Sequence, residues 1–337
     1  MKIRRTILYG LIAVIFALTF AACKDKDDDD DGKDGGDDGT DGATTWTAVT
    51  TSTFGSDTIR AVAYGGGKFV AVGYNGKMAY SADGVTWTPV ADSKFSTTTI
   101  QSIAYGSNTW VAGGGSAKMA TSADGTSWTA VATSGFSTIT ETIYGIAYGN
   151  GKFVAVSTFG KAATSTDGTT WTTAVAISNF NQDDINGIIY DNNKFVAGGQ
   201  NGKIATSTDG TTWTAVAISG FGTSSIIGIA YGGGKFAAVG GSGKIAYSTD
   251  GTSWTAVANS TFGSSSLLDN INAIAYGNSK FVAGGIGGKT AYSADGITWT
   301  AVADRFGSSS NSINGIVYGN NKFVAVGTNG KIAYANW

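Results

Sequence analysis

The feature of this chain that most constrains its fold is a stretch of sequence that occurs seven times. In its fullest form the repeat contains Ile-x-x-Ile-Ala-Tyr-Gly, then Lys-Phe-Val-Ala-Val-Gly, and later Gly-Lys-Ile-Ala-Tyr-Ser-x-Asp-Gly-Thr-x-Trp. Tryptophans mark the period, which is about 40–45 residues: Trp46, Trp87, Trp128, Trp171, Trp213, Trp254 and Trp299. Such self-similarity predicts a fold that is assembled from equivalent units.

Each copy divides into four short segments that are rich in β-branched and aromatic residues, as strands are. In the first copy we predict strands A to D at residues 59–64, 69–73, 77–81 and 86–90. The Asn-Gly and Asp-Gly pairs between them favour hairpin turns. Four strands in a repeat of this length predict an all-β fold, a seven-bladed β-propeller of four-stranded blades.

The two ends of the repeat array indicate how the ring closes. The seventh copy contains predicted strands A, B and C, but no strand D follows them. Residues 41–49 resemble a strand D that has no A, B and C before it. We therefore predict that the N-terminal strand completes the last blade, which removes the edge that an unfinished ring would expose.

The first residues of the chain resemble a bacterial lipoprotein signal peptide. Lys2 precedes an apolar run over residues 7–20, and Phe20-Ala21-Ala22-Cys23 resembles the lipobox in which the cysteine is lipidated. This run is too short to span a membrane comfortably. We predict a signal peptide over residues 1–22 and lipidation of Cys23. An ordinary signal peptide followed by a chance cysteine is the alternative.

Residues 23–41 are predicted to form an acidic, disordered stalk. Ten Asp and three Lys lie between residues 24 and 41, a composition that cannot bury a core. Two alternatives remain open, an export tag of surface lipoproteins and a calcium site. The propeller is expected to occupy residues 42–337. The expected location is the bacterial cell envelope, with lipid anchoring at the outer membrane or cell surface, and the membrane is contacted through the lipid only.

A second motif, Ser-x-Asp-Gly-x-[Thr/Ser]-Trp, occurs six times and resembles the Asp-box of sialidase-type, BNR-like propellers, shortened by one residue. Related repeats occur in propellers that are similar to photosystem II assembly factors. The resemblance covers residues 41–337. We expect a structural role for the motif, because the carboxylate can accept turn N–H groups and Trp can pack between blades. The aspartates are Asp83, Asp124, Asp167, Asp209, Asp250 and Asp295.

The composition argues against most catalytic chemistry. The chain has no histidine and a single cysteine, which excludes Ser–His and Cys–His nucleophiles and histidine-based metal sites. We expect no enzyme activity, no cofactor and no metal. The sialidase resemblance implies three arginines on the substrate carboxylate, but Arg60 and Arg305 are the only arginines after the signal peptide. A glycosidase using two carboxylates is the alternative, with these acids outside the Asp-boxes: Asp57, Asp92, Glu141, Asp183, Asp184, Asp191, Asp269 and Asp304.

Two positions vary among otherwise similar copies, and both are expected on one face of the propeller. The second residue of strand A is predicted to line the mouth of the central channel as Arg60, Gln101, Tyr144, Asn186, Asn272 and Asn314, with Ile227 in the fifth copy. The turn between strands B and C supplies the predicted rim residues Tyr74, Phe159 and Gln200. Polar and aromatic groups around a concavity suit a glycan or a peptide.

Explanations that involve no ligand remain open for the same residues. The variation can be neutral drift on exposed loops, and Arg60 can pair with nearby Asp57. A lysine after each B–C turn either is a solvated strand end or attracts acidic glycans. The Phe residues of the loops between blades are expected to pack beneath those loops.

The sequence therefore predicts an exported, lipid-anchored, non-catalytic binding or scaffolding propeller that contacts a glycan or an extracellular or envelope protein. We expect a monomer. After residue 41 the chain has sixteen Lys and Arg against fourteen Asp and Glu, which argues against nucleic acid as a partner. A glycoside hydrolase and an assembly-factor-like chaperone for membrane proteins are the alternatives.

Overall fold

The computed structural model describes residues 45–137, 139–217, 220–263, 269–303, 306 and 310–336. They belong to one compact unit, Thr44–Trp337, and form seven antiparallel sheets of four strands each. The predicted seven-bladed β-propeller is thus confirmed. None of the described helices has the length and apolar character needed to cross a membrane. The predicted signal peptide, Cys23 and the acidic stalk lie outside the described residues.

The strands of a blade are named inner, second, third and outer. The inner strands are β2 (Ile59–Gly65), β6 (Ile100–Gly106), β10 (Ile143–Gly149), β14 (Ile185–Asp191), β18 (Ile226–Gly232), β22 (Ile271–Gly277) and β26 (Ile313–Gly319). The second strands are β3 (Lys68–Gly73), β7 (Thr109–Gly114), β11 (Lys152–Ser157), β15 (Lys194–Gly199), β19 (Lys235–Gly240), β23 (Lys280–Gly285) and β27 (Lys322–Gly327).

The third strands are β4 (Met78–Ser81), β8 (Met119–Ser122), β12 (Lys161–Ser165), β16 (Ile204–Ser207), β20 (Ile245–Ser248), β24 (Thr290–Ser293) and β28 (Ile332–Ala335). The outer strands are β5 (Thr88–Pro89), β9 (Thr129–Ala130), β13 (Val175–Ala176), β17 (Thr214–Val216), β21 (Thr255–Ala256), β25 (Thr300–Ala301) and β1 (Thr47–Ala48). One 3₁₀ turn joins each second strand to its third strand: Tyr74–Gly76, Gly115–Ala117, Thr158–Gly160, Gln200–Gly202, Gly241–Gly243, Ile286–Gly288 and Thr328–Gly330.

The ring closes as the sequence predicts. The last sheet has the order β1-β28-β27-β26, so its outer strand comes from the other end of the array. Thr47 pairs with Tyr334, and the amide of Val49 donates to the carbonyl of Ile332 at 2.9 Å. Trp46 is buried and donates through Nε1 to Thr290 Oγ1 of the neighbouring blade at 3.3 Å. The N-terminal segment therefore stabilises two blades, because β1 pairs with β28 in the last blade and Trp46 binds the blade beside it.

The hydrophobic core lies between blades. Five residues of each second strand are buried, with no alternation of buried and exposed positions. One cluster packs Phe69 and Trp87 of the first blade against Val324 of the last. A fully buried Phe contributes about 1.5–3 kcal/mol, so each blade depends on its neighbour for stability.

Each inner strand contains a β-bulge at the same place. In β2, Ile59 pairs with Gly73 and Ala61 pairs with Val72, so Arg60 is left as the extra residue. The same shift of register occurs in the other six blades. A bulge bends its strand and re-aims the side chain of the extra residue. In every blade this residue is the variable second position.

The Asp-boxes form the turns between third and outer strands. Asp83 Oδ1 accepts the backbone amides of Val85 and Thr86 at 2.8 and 2.7 Å, and the indole of Trp87 donates to the carbonyl of Gly84. Partial burial tends to raise the pKa of Asp83, but these amides outweigh it and lower that pKa to about 2. The same carboxylate-to-amide bonds recur in the other five boxes. The motif stabilises a turn and the packing of its Trp.

Candidate functional site

The propeller has two faces of different character. The 3₁₀ turns, the loops between blades and the first residues of the inner strands lie together on one face, here called the mouth face. Lys77 Nζ joins such a turn to such a loop by donating to the carbonyl of Phe54 at 2.9 Å. The opposite face carries the Asp-boxes, and there Lys68 Nζ donates to the carbonyl of Asp124 in the next box at 2.8 Å.

A cavity of about 740 Å³ occupies the centre of the ring. The bulge residues of all seven blades line it: Arg60, Gln101, Tyr144, Asn186, Ile227, Asn272 and Asn314. The structure therefore brings together all six predicted mouth residues, and the predicted rim residue Gln200 also lines the cavity. Tyr74 and Phe159 are not part of this lining. They lie on the 3₁₀ turns of the mouth face, each 40% exposed.

Arg60 contacts its neighbours in the ring rather than an acid. Its Nε donates to Gln101 Oε1 at 2.8 Å, and its Cζ lies 5.5 Å from the centroid of the Tyr74 ring. Asp57 pairs instead with Lys77, 2.7 Å away, and accepts from Asn75. The proposed pairing of Arg60 with Asp57 is thus wrong. Within the described chain the two Nη groups of Arg60 have no hydrogen-bond partner, so they can donate to a ligand.

The three asparagines of the ring have a structural contact that the sequence did not reveal. Each side-chain amide donates to the backbone carbonyl of the first inner-strand residue in the next blade. The pairs are Asn186 with Ile226 at 2.9 Å, Asn272 with Ile313 at 3.0 Å and Asn314 with Ile59 at 2.9 Å. Their Nδ2 groups tie the bulge of each of these blades to the inner strand of the next blade.

Asp184, which the sequence analysis names only among the acids outside the Asp-boxes, lies next to the cavity-lining residue Gln200. Its Oδ1 accepts the backbone amide of Phe159 at 3.2 Å, and its Oδ2 accepts from Gln200 Nε2 at 3.2 Å. Gln200 Oε1 in turn accepts the backbone amide of Asp184 at 3.2 Å. Burial and then the charge of Asp184 raise the pKa of Tyr144, while the charge of Arg60 lowers it. Tyr144 is therefore within electrostatic range of both charged groups.

The backbone of Phe159 has an unusual conformation for an aromatic residue. Its φ is 59°, in the left-handed region that costs an L-residue about 1–2 kcal/mol. The central residues of the other six 3₁₀ turns share this conformation but are small or polar: Asn75, Ser116, Asn201, Ser242, Gly287 and Asn329. Phe159 is the exception in both size and polarity.

The lysines of the mouth face hold the loops between blades. Each of five donates to the backbone carbonyl of a loop Phe at 2.8–3.2 Å: Lys77 to Phe54, Lys118 to Phe95, Lys203 to Phe180, Lys244 to Phe221 and Lys289 to Phe262. These Phe side chains are buried beneath their loops, as predicted. The five lysines are therefore neither solvated strand ends nor a free attractor for acidic glycans.

The acids outside the Asp-boxes do not converge on the cavity. Asp57, Glu141, Asp183 and Asp269 pair with the lysine of their own blade, and Asp92 pairs with Lys94. Among the described residues that line the cavity there is no Asp or Glu. The described part of the chain also contains no group of three or more His, Cys, Asp or Glu side chains suited to a metal ion. Asp304 and Arg305 lie outside the described residues.

Comparison with known proteins places the fold among propellers. Residues 154–261 match the sequence model of a family described as the DUF6242 beta propeller domain. No curated protein sequence matches the chain.

Three solved structures are similar over almost their whole length. YCF48 bound to D1 peptide has 18% identity and a TM-score of 0.65, covering 87% of this chain and 97% of YCF48. YCF48 from Cyanidioschyzon merolae has 17% identity and a TM-score of 0.65, with coverage of 86% and 98%. A catalytically inactive virginiamycin B lyase from Staphylococcus aureus, solved with quinupristin, has 14% identity and a TM-score of 0.73, with coverage of 87% and 99%. At such identities these likenesses establish that the chain has a β-propeller fold.

Proposed function

We propose that the protein is a non-catalytic binding propeller whose ligand, a glycan or a protein segment, enters the central cavity from the mouth face. One observation carries this proposal: seven bulges at the same position direct side chains that differ from blade to blade into one cavity. A symmetric scaffold that presents five residue types at seven equivalent positions can hold an asymmetric ligand. The cavity volume of about 740 Å³ is typical of ligand pockets.

The chemistry of the cavity favours binding over catalysis. Its described lining offers a guanidinium, amides and a phenol, but no carboxylate that could act as acid, base or nucleophile. A glycosidase would need two such carboxylates near the scissile bond. Of the alternatives, a protein-binding role has one further support, because a similar propeller fold, YCF48, has been solved with a peptide bound.

We also propose that the protein is exported and anchored in the bacterial envelope through lipid on Cys23. Since β1 is antiparallel to β28, β1 begins at the Asp-box face. Labelled fatty acid should enter the wild type but not Cys23→Ser, and protease treatment of intact cells should report whether the propeller is on the outer surface. Equal labelling of both chains would refute the anchor.

The binding proposal is tested with the full mature protein on a glycan array and in pull-downs from membranes. Arg60→Ala removes the free guanidinium donors and should weaken binding of the captured ligand about tenfold or more, since hydrogen bonds to charged groups are worth about 1.5–3 kcal/mol. Asp209→Ala, in an Asp-box, should lower stability and leave affinity unchanged. A ligand bound on the Asp-box face, or binding indifferent to Arg60→Ala, would contradict the proposal.

A further inference from the structure

Phe159 combines two features that oppose folding. Its backbone has φ of 59°, and the residue is 40% exposed on the mouth face. The six equivalent turns adopt the same backbone with Asn, Ser or Gly at this position. The turn therefore does not require an aromatic residue. Strain kept at an exposed site indicates a functional role for the side chain.

Two polar side chains are hydrogen-bonded to the turn that carries this ring or to each other. The carboxylate of Asp184 accepts the amide of Phe159 itself and the side chain of Gln200, each at 3.2 Å. A third bond, from the amide of Asp184 to Gln200 Oε1, holds the two planar groups against each other. A carboxylate can accept about four hydrogen bonds, so Asp184 keeps acceptor capacity. Gln200 lines the cavity, which places this group of residues at its edge.

We propose that Phe159, Asp184 and Gln200 form a subsite for one neutral sugar ring of a glycan, an inference that rests on the proposed binding function. A sugar ring has an apolar face of C–H groups and an edge of hydroxyl groups. The face stacks on the exposed ring of Phe159, and adjacent hydroxyls donate to Asp184 and exchange hydrogen bonds with Gln200.

The surroundings of Phe159 select this ligand class over two others. An apolar peptide side chain would need apolar walls around the ring, whereas the groups bonded to this turn are a carboxylate and an amide. An acidic sugar would bring a second negative charge to Asp184, and like charges repel. A neutral sugar satisfies the apolar ring and the polar pair together.

The test compares turn variants of the full mature protein on an array of neutral gluco-, manno-, galacto- and xylo-oligosaccharides, followed by calorimetric titration of the oligosaccharide that binds best. Phe159→Asn installs the residue found at three equivalent turns. It should weaken binding at least tenfold while the Tm stays unchanged or rises by a few degrees. Phe159→Tyr keeps the ring and should bind within about threefold of wild type. Asn329→Ser, in the equivalent turn of the last blade, is the matched control and should bind like wild type.

The outcomes separate this inference from the proposed function. Arg60-dependent capture of a protein without any binding of neutral oligosaccharides overturns the sugar subsite but leaves the binding function. Neutral oligosaccharides that bind wild type and Phe159→Asn equally also overturn the subsite. A clear fall of Tm in Phe159→Asn shows that the ring serves folding and overturns it as well. Failure to find any glycan or protein whose binding depends on Arg60 overturns both.

Discussion

Glu141 is the one acidic side chain among the described residues that is fully buried, with 0% of its surface exposed. One carboxylate oxygen pairs with Lys161 Nζ, and in the described chain Oε2 has no hydrogen-bond partner. The neighbouring blade has Thr98 at the equivalent position, and its Lys118 donates to the carbonyl of Phe95. Loss of Lys161 therefore leaves the buried carboxylate of Glu141 without its ion-pair partner. Loss of Lys118 removes only a hydrogen bond to a backbone carbonyl.

We expect Lys161→Ala to lower the free energy of unfolding by about 3–5 kcal/mol, because an unpaired buried carboxylate is left behind. Lys118→Ala, the matched control, should cost about 1–3 kcal/mol, the value of a charge-assisted hydrogen bond. Urea unfolding measures both. Introducing Glu141→Thr into Lys161→Ala should restore most of the loss. Equal losses in the two single variants would show that the charge of Glu141 is not the cause.

At the scale of single elements, we expect the Asp-box turns to make the stability of the propeller depend on pH in acid. Hydrogen bonds from backbone amides lower the pKa of Asp124 and Asp209, and those of Asp83 outweigh its burial to give a pKa of about 2. A carboxyl whose pKa is lower in the folded state stabilises that state while it is ionised. Its contribution is complete above the ordinary pKa of 3.8 and is lost as the pH falls through the folded value.

We therefore expect the urea midpoint to be nearly constant above about pH 5 and to fall steeply between pH 4 and 2. Asp83→Asn removes one titrating group, so it should lower stability at neutral pH. It should also make the urea midpoint fall less steeply between pH 4 and 2. Unfolding in urea across pH 2–7 measures the slope. A midpoint independent of pH below 4 would contradict the role assigned to these carboxylates.

The inner and second strands of a blade could be predicted closely, but the contacts of the site could not. Predicted strands at 59–64 and 69–73 compare with the observed Ile59–Gly65 and Lys68–Gly73. The bulge could not be predicted from the repeat, because the extra residue occurs at the same place in every copy and leaves the repeat pattern regular. Arg60 meets Gln101 because their blades are adjacent in the ring. The pattern of hydrophobic and polar residues within one copy does not predict a side-chain contact between two copies.

At the scale of the whole molecule, each blade is held by its two neighbours. The inner strands contact one another around the ring, and β2 contacts both β6 and β26. The hydrophobic clusters likewise join residues of adjacent blades, as Val196 and Phe236 show. If β1 no longer pairs with β28, the ring opens at this blade, and apolar surface becomes exposed on both sides of the opening. We expect the closure by β1 to affect the stability of all seven blades together.

Deletion of residues 42–50 tests this closure. It removes β1 and the buried Trp46, whose loss alone is comparable to a core Trp→Ala change of about 3–5 kcal/mol. The unfolding temperature of the whole propeller should fall by roughly 5–10 °C. Deletion of nine residues from the acidic segment before residue 42 is the control and should leave it unchanged, since that composition cannot bury a core. Because the blades share their cores, the shortened propeller should still unfold in a single transition. An unchanged melting temperature, or a separate transition confined to one blade, would mean that the ring does not depend on its N-terminal strand.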